Sequence, residues 1–398
     1  MPTDPLAVSA SAAVVDLAAT LIGIDSVSSS LVPGAPGEAR IAAHLAERLD
    51  AAGFAVRLVP AASDASRVSL VAVRSGSRPG RTVVLNGHLD TVGVDGMPDP
   101  FTARIDGERL VGRGASDMKG GVAGLVVAAE RLAAADAPGT IVVALVADEE
   151  DASVGAEAVI ADLSGRDLAP DLCLIAEPTW LDLAAAHRGF AVVDVALHGR
   201  AAHSSQPDQG VDAIRALGDL LAGIRAADAS LHALAPHPLL GHGSLMATVA
   251  RAGTAPFTVA AGAEVVVERR TVPCEASARA LDEVRALVDG VVAGLPGLTA
   301  EVRLGMARAA WQVDATGAAA EFSRLLGAAL AETGTRPEPV GAPYWMESAL
   351  WQEVGVPTVV CGPAGGGLHA VDEWVDLDQL RRFPVAVEQA VGRFLAAG

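Results

Sequence analysis

The chain is poor in aromatic rings, in cysteine and in positive charge, and each shortage excludes something. Aromatic residues make up 3% of it, so an apolar content of 51% must be met by alanine, valine and leucine. Three cysteines (Cys173, Cys274 and Cys361) are too few and too scattered for a disulfide framework. Cys173 and Cys361 lie in apolar runs and read as buried thiols. Lysine and arginine number 29 against 48 acids, a net charge of −19, which argues against nucleic acid and anionic membrane surfaces as partners. Long apolar runs are missing too. "GGVAGLVVAA" (120–129) is too short to span a bilayer. The opening "MPTDPLAVSASAAVVDLAATLIGI" has no basic cluster, and Asp4 and Asp16 interrupt it, so no export signal is expected. These exclusions leave a cytoplasmic protein as the simplest expectation.

What is present is an alternation of strand and helix patterns over 398 residues, room for two domains. "EARIAAHLAERLDAAG" puts Ile41, Leu45 and Leu49 on one helical stripe, with Gly53 as the stop. Runs at 68–73 and 82–90 read as buried strands, followed by a helix over 120–135 and the strand "TIVVALVA" (140–147). A helix near 153–162 and a strand at 171–177 continue the series. Strands this apolar, separated by helices, predict an α/β sheet covered on both faces.

After Gly189 the pattern changes. "FAVVDVALHG" alternates, as a half-exposed strand does. Then come a helix near 209–226, strands near 244–251 and 262–270, a helix near 275–293 and a strand near 299–305. That order is ferredoxin-like. The α/β pattern resumes with a helix over 316–333 and the strand "PTVVCG" (357–362). The expected organisation is a discontinuous α/β domain (1–188 and 306–398) with an α+β domain inserted at 189–305.

Carboxylates and histidines gather at the predicted strand ends: His88 and Asp90 in "NGHLD", Asp117 in "GRGASDMKGG", Glu149 and Glu150 in "ADEED", Glu177 in "IAEPTW", and His369 in "GPAGGGLHAVDEW". In open α/β sheets ligands bind beyond the carboxyl ends of the strands. Taken singly, each motif has a plain explanation. His-x-Asp is common on surfaces, "DEED" suits a helix N-terminus, and Glu177 before Pro178 is an ordinary turn residue. Their convergence is harder to explain so. Several acids meeting in a partly dry crevice repel one another, and two divalent cations would cancel that charge. Imidazole with carboxylate suits zinc or a neighbouring transition metal, and paired ions of this kind activate a shared water.

At this point the sequence resembles the dizinc amidohydrolases that include acetylornithine deacetylase, succinyl-diaminopimelate desuccinylase, aminoacylase and glutamate carboxypeptidase. "GHLDTV", "GRGASDMKGG", "DEE", "AEPT", "RGF", "GRAAHSSQP", "ERRTVP" and "GPAGGGLHAVDEWV" occur in that family's order across nearly the whole chain. The resemblance implies a zinc-peptidase-like α/β catalytic domain with a ferredoxin-like lid and dimerisation domain. It implies two divalent ions per subunit, zinc first, with cobalt or manganese as substitutes. Asp117 would bridge them, His88 and Glu177 would complete one site, and Glu150 and His369 the other. Glu149 would be the general base and Asp90 would hold His88, which a strand would allow because residues two apart share a face. Asp148 and Asp151 would be flanking acids. His203 would reach the partner's site in a homodimer and stabilise the oxyanion, and Arg270 would hold a substrate carboxylate. Plainer readings are a loop histidine at 203 and, for Arg270, a strand arginine paired with Glu268. His44, His187, His198, His232, His237 and His242 match no ligand position.

Two departures bear on the substrate. Phe257 stands where relatives carry a substrate-contacting asparagine, with Ala260 at a proline position, and Glu347 stands where many carry aspartate. Phe257 is therefore expected to line an apolar part of the substrate pocket or else to pack in the lid core. The implied activity is hydrolysis of an amide in an N-acyl amino acid or small peptide. Alternatives are another C–N bond (carbamoyl or cyclic amide), acyl transfer, or an inactive binding protein; the intact Glu149 and ligand positions speak against the last.

Overall fold

The computed structural model describes residues 5–166 and 168–397, which leaves Asp4 outside the described residues. The chain divides into two compact units. One holds the residues up to Ala185, with Val313–Val340 and those from Met346 on; the other holds Ala186–Gln312 and Gly341–Trp345. The second unit is thus longer than the expected insert of 189–305. Its last strand runs on to Arg308, and Trp311 and Gln312 pair with His187 and Ala186.

In the first unit, runs of valine, leucine and isoleucine make strands that are buried along most of their length. Six neighbouring strands of the sheet run in the order Ala55–Pro60, Val68–Ser75, Thr140–Val146, Thr82–His88, Leu172–Ile175 and Thr358–Val360. The last four are parallel, and the first two form an antiparallel margin. Parallel neighbours need crossovers, supplied by helices Gly120–Ala134 and Val154–Ser164. Leu70, Val83, Leu85, Val143, Leu145 and Leu174 face a core shared with helices Pro5–Ile22, Gly120–Ala134, Gly317–Glu332 and Leu377–Leu395. The alternate residues Val71, Val84, Val142 and Cys173 are buried as well, and helix Val154–Ser164 packs against the sheet. Small residues let the layers come close. A Cβ on Gly121 would meet the Ala176 carbonyl at 2.2 Å, and one on Gly124 would meet the Phe383 ring at 2.4 Å.

In the second unit, strands Ser244–Ala252, Gly262–Thr271, Gly189–His198 and Thr299–Arg308 form an antiparallel sheet in that order. Helices Ala213–His232 and Arg279–Gly294 bury one face, through Leu217, Leu220, Val284 and Val288 against Val193, Val195, Val265 and Val267. Burial alternates strictly along Gly189–Leu197, as the sequence alternation requires. The topology is the expected ferredoxin-like one. Its first helix starts at Ala213, later than expected, because Asp212 caps it by accepting from the Ile214 and Arg215 N–H groups. Among the described residues no helix is long and apolar enough to cross a membrane.

Candidate metal centre

Three parallel strands deliver acids and imidazole to one edge of the first unit's sheet. Thr82–His88 ends on His88 itself. Leu172–Ile175 is followed by Ala176 and Glu177, and Thr140–Val146 leads into the turn that carries Asp148, Glu149 and Glu150. The ligand atoms of His88, Asp117 and Glu177 lie within 4.8 Å of one another, and so do those of Asp117, Glu150 and His369. Asp117 belongs to both groups. His88 Nε2 is 3.0 Å from its Oδ1. His369 Nε2 is 3.3 Å from its Oδ2 and 3.0 Å from Glu150 Oε2.

The imidazole of His88 is oriented from behind. Its Nδ1 lies 3.0 Å from the Asp90 carbonyl and 3.5 Å from the Asp90 carboxylate. This arrangement assigns the proton to Nδ1 and leaves Nε2 as a lone-pair donor facing Asp117. The expected shared strand face is not how Asp90 gets there, because the strand stops at His88. Asp90 also does more than hold a ring. Its Oδ1 accepts from the Glu149 N–H and its Oδ2 from the Glu150 N–H, each at 3.2 Å. Two consecutive residues are thereby pinned by one buried carboxylate.

Asp148 is not an ordinary flanking acid. It is 2% exposed and sits at φ 67°, a left-handed conformation that aspartate tolerates better than most residues. The conformation persists because its surroundings dictate it. Ser30 donates to Asp148 Oδ1 at 3.0 Å, and the buried Arg67 donates to Asp148, Ser28 and Ser29. Glu38 lies 2.8 Å from the same guanidinium.

The electrostatics are those of a site with excess negative charge. Burial raises Glu149 well above the usual carboxylate range, and Glu177 adds to the shift. Burial likewise lifts Glu177 to about 8 and Glu150 to about 7. Hydrogen bonds to Asp117 and Glu150 lift His369 to about 10. Burial opposes charge on both Asp117 and His88, yet hydrogen bonds with His369 and His88 hold Asp117 below its ordinary value, and hydrogen bonds with Asp117 and Asp90 raise His88 above its own. Protons can neutralise this cluster, and so can divalent cations. The donor set, imidazole nitrogen with carboxylate oxygen, suits the latter. Glu150 Oε1 fits as well: it is buried and has no hydrogen-bond partner among the described residues.

Several residues at this site had no assigned role in the motif reading. Glu347 is 1% exposed, and its charge adds to the rise at Glu149. Glu373 and Arg113, both buried, connect the loops of Asp117 and His369. Glu373 and Arg113 stand inside the quoted motifs, which was the available signal; Arg67 stands in none.

The remaining predicted residues lie in the second unit. His203 is exposed, with Nδ1 2.7 Å from Ser205 Oγ, on a short strand that pairs with Thr258–Val259. Phe257 is 76% exposed at φ 64°, so it does not pack in a core of this chain. Arg270 pairs with Glu268 and lies over the Phe190 ring, 5.3 Å from its centroid. His187 is a buried structural residue stacked on Trp311 at 5.5 Å.

Residues 84–391 match the family described as peptidase family M20/M25/M40. The chain belongs to this family. It is a metallohydrolase by that membership. It is 31% identical over 356 residues to the acetylornithine deacetylase of Myxococcus xanthus, covering 87% of this chain and 90% of that one. An M20 family metallo-carboxypeptidase from Sulfolobus solfataricus shares the fold at a TM-score of 0.78 and 16% identity, over 96% of this chain and 99% of the other. So does a Bacillus subtilis protein described as a dinuclear metal binding peptidase of the M20 family, at a TM-score of 0.74 and 17% identity over 98% and 99%.

Proposed function

We propose that this M20 protein hydrolyses an amide bond in an N-acyl amino acid or small peptide, using two divalent ions. His88, Asp117 and Glu177 would hold one ion, and Asp117, Glu150 and His369 the other. The observation that carries this reading is the pair of donor groups sharing the Asp117 carboxylate. Zinc suits the donors best, and cobalt or manganese could replace it. When bound, such ions act as Lewis acids and bring the pKa of water down to about 7.

Glu149 belongs to neither donor group and is half-buried, with its affinity for a proton raised. In this reading it takes a proton from the attacking water and returns it to the leaving amine. Asp90 keeps His88 in the metal-binding tautomer and keeps Glu149 and Glu150 in place. The second unit acts as lid and dimer interface. His203 meets the oxyanion in the partner's site, Arg270 holds a substrate carboxylate, and Phe257 contacts an apolar group. A cytoplasmic setting is consistent with three free cysteines.

The test is zinc-reconstituted protein assayed on a panel of N-acyl amino acids, dipeptides, carbamoyl compounds and cyclic amides. Glu149→Gln should lower kcat by about 10²–10⁴-fold with metal content unchanged, and Asp117→Ala should lose most of both ions. Zinc near zero in the wild type, or turnover confined to cyclic or carbamoyl compounds, would overturn the reading.

A further inference from the structure

Glu373 is 1% exposed, and four donors surround its carboxylate. Oε1 accepts from the Ser116 and Asp117 N–H groups, both at 3.0 Å. Oε2 accepts from the Gly114 N–H at 2.9 Å and from Arg113 Nη1 at 2.8 Å. Arg113, itself 2% exposed, turns its other nitrogen to the Ala370 carbonyl at 3.0 Å. The Glu373 carbonyl accepts from the Gly112 N–H at 3.1 Å. One carboxylate and one guanidinium therefore join two loops far apart in sequence, one carrying Asp117 and the other His369.

The two loops differ in how else they are held. The backbone of Asp117 is bonded directly to Glu373 and its side chain is well enclosed, 14% exposed. The His369 side chain is 54% exposed and, among the described residues, its ring pairs with the two carboxylates Asp117 and Glu150. Packing therefore does little to hold that imidazole, and its placement rests on the backbone of its loop, where φ is 61° at His369 itself. The Arg113 bond to Ala370, the next residue, fixes that backbone.

We propose that Arg113 and Glu373 are positioning residues that set the spacing of the two metal sites: Arg113 places His369 and so tunes one site, and Glu373 places the shared Asp117 and so tunes both. This rests on the metal reading above. The two substitutions should then have different signatures. Arg113→Met keeps the aliphatic stem and leaves the three backbone N–H bonds to Glu373 intact. Glu373→Gln keeps the volume, but its amide nitrogen must face two of the four donors.

The experiment measures zinc affinity at each site by chelator competition on metal-free protein, with melting temperatures in parallel. Residues behind metal ligands typically contribute about 10–100-fold in affinity. Arg113→Met should weaken one of two ions by that factor and leave the other within about threefold, and Glu373→Gln should weaken both. Arg48→Met, which breaks the Arg48–Glu130 pair elsewhere in the unit, is the control for a plain structural staple: it should lower the melting temperature and leave both affinities alone. If Arg113→Met binds two ions as the wild type does, or weakens both equally, the inference is overturned while the metal reading stands. A wild type that binds no zinc overturns both. Should Glu373→Gln fail to fold, Arg113→Met decides alone.

Discussion

Asp90→Asn separates a residue that steadies a histidine from one that holds the whole turn of Glu149 and Glu150. The Asp90 carboxylate is fully buried. It accepts from the backbone N–H groups of Glu149 and Glu150, one on each oxygen, at 3.2 Å. Asparagine keeps the shape but offers one acceptor oxygen, so one of the two N–H groups must face an NH2. A hydrogen bond to a charged acceptor contributes about 1.5–3 kcal/mol, and leaving its buried donor unpaired costs about 1–3 kcal/mol. These overlap, so a local loss of roughly 2–4 kcal/mol is expected. It falls together on the backbones of Glu150, the proposed ligand, and Glu149, the proposed base. Outer residues at metal sites typically change metal affinity or rate by about 10–100-fold, and the larger end of that range should apply here. The assay is kcat and KM on the best amide of the panel, with zinc affinity by chelator competition and unfolding by urea. Ser69→Ala is the comparison: its hydroxyl accepts from the Ala147 N–H at 3.1 Å, just before the same turn. It should cost stability of about 1 kcal/mol without moving zinc affinity. If Asp90→Asn keeps kcat and zinc affinity within about twofold of wild type, the argument that its two bonds fix the turn is wrong.

Three further outcomes are expected. Burial lifts Glu38 from its ordinary 4.5 to about 7, so the folded state holds a proton there that the unfolded chain has released. The stability this gives relative to Glu38→Gln is fully present below pH about 4.5 and is lost as pH rises through about 7, by roughly 3 kcal/mol at most; urea melts showing a constant difference across that range would refute it. Phe257→Asn should raise the melting temperature slightly, since asparagine suits the left-handed backbone and the ring is 76% exposed, and it should shift preference toward polar substrates; a drop in stability would contradict the first expectation. Mixed dimers of His203→Ala and Glu149→Gln chains should regain activity that neither parent has, and inactive but well-exchanged dimers would count against a histidine acting in trans.

The sequence made the sheet legible because its strands are short apolar runs that stop at acids. His88, Glu150 and Glu177 stand where such runs end, and Asp117 and His369 stand in glycine-rich loops that the structure brings beside them. What was hidden depends on tertiary contact. Asp148 looked like its neighbours, and nothing local says that an arginine 81 residues away will bury it. Glu373 is a plain acid until its four donors converge on it. Asp90 lies beyond the strand end at His88, so its contact with that ring does not come from the alternation that suggested it. Helix Leu377–Leu395 carries Pro384 inside it, a residue that normally breaks the pattern, although Leu380, Phe383, Val387, Val391 and Phe394 keep a buried stripe.

That last helix has a consequence for how the protein is made. Phe383 seats against Gly124, and Phe394 meets Phe322 with ring centroids 5.5 Å apart; helices Pro5–Ile22, Gly120–Ala134 and Gly317–Glu332 all pack on it. Five strands of the sheet are complete by Ile175, yet this cover begins at Leu377. At about 5–20 residues per second, a ribosome spends roughly 10–40 s on the stretch between. Through that interval the nascent chain presents an uncovered alanine- and valine-rich flank. That flank is where a chaperone would bind during synthesis and where truncated chains would aggregate.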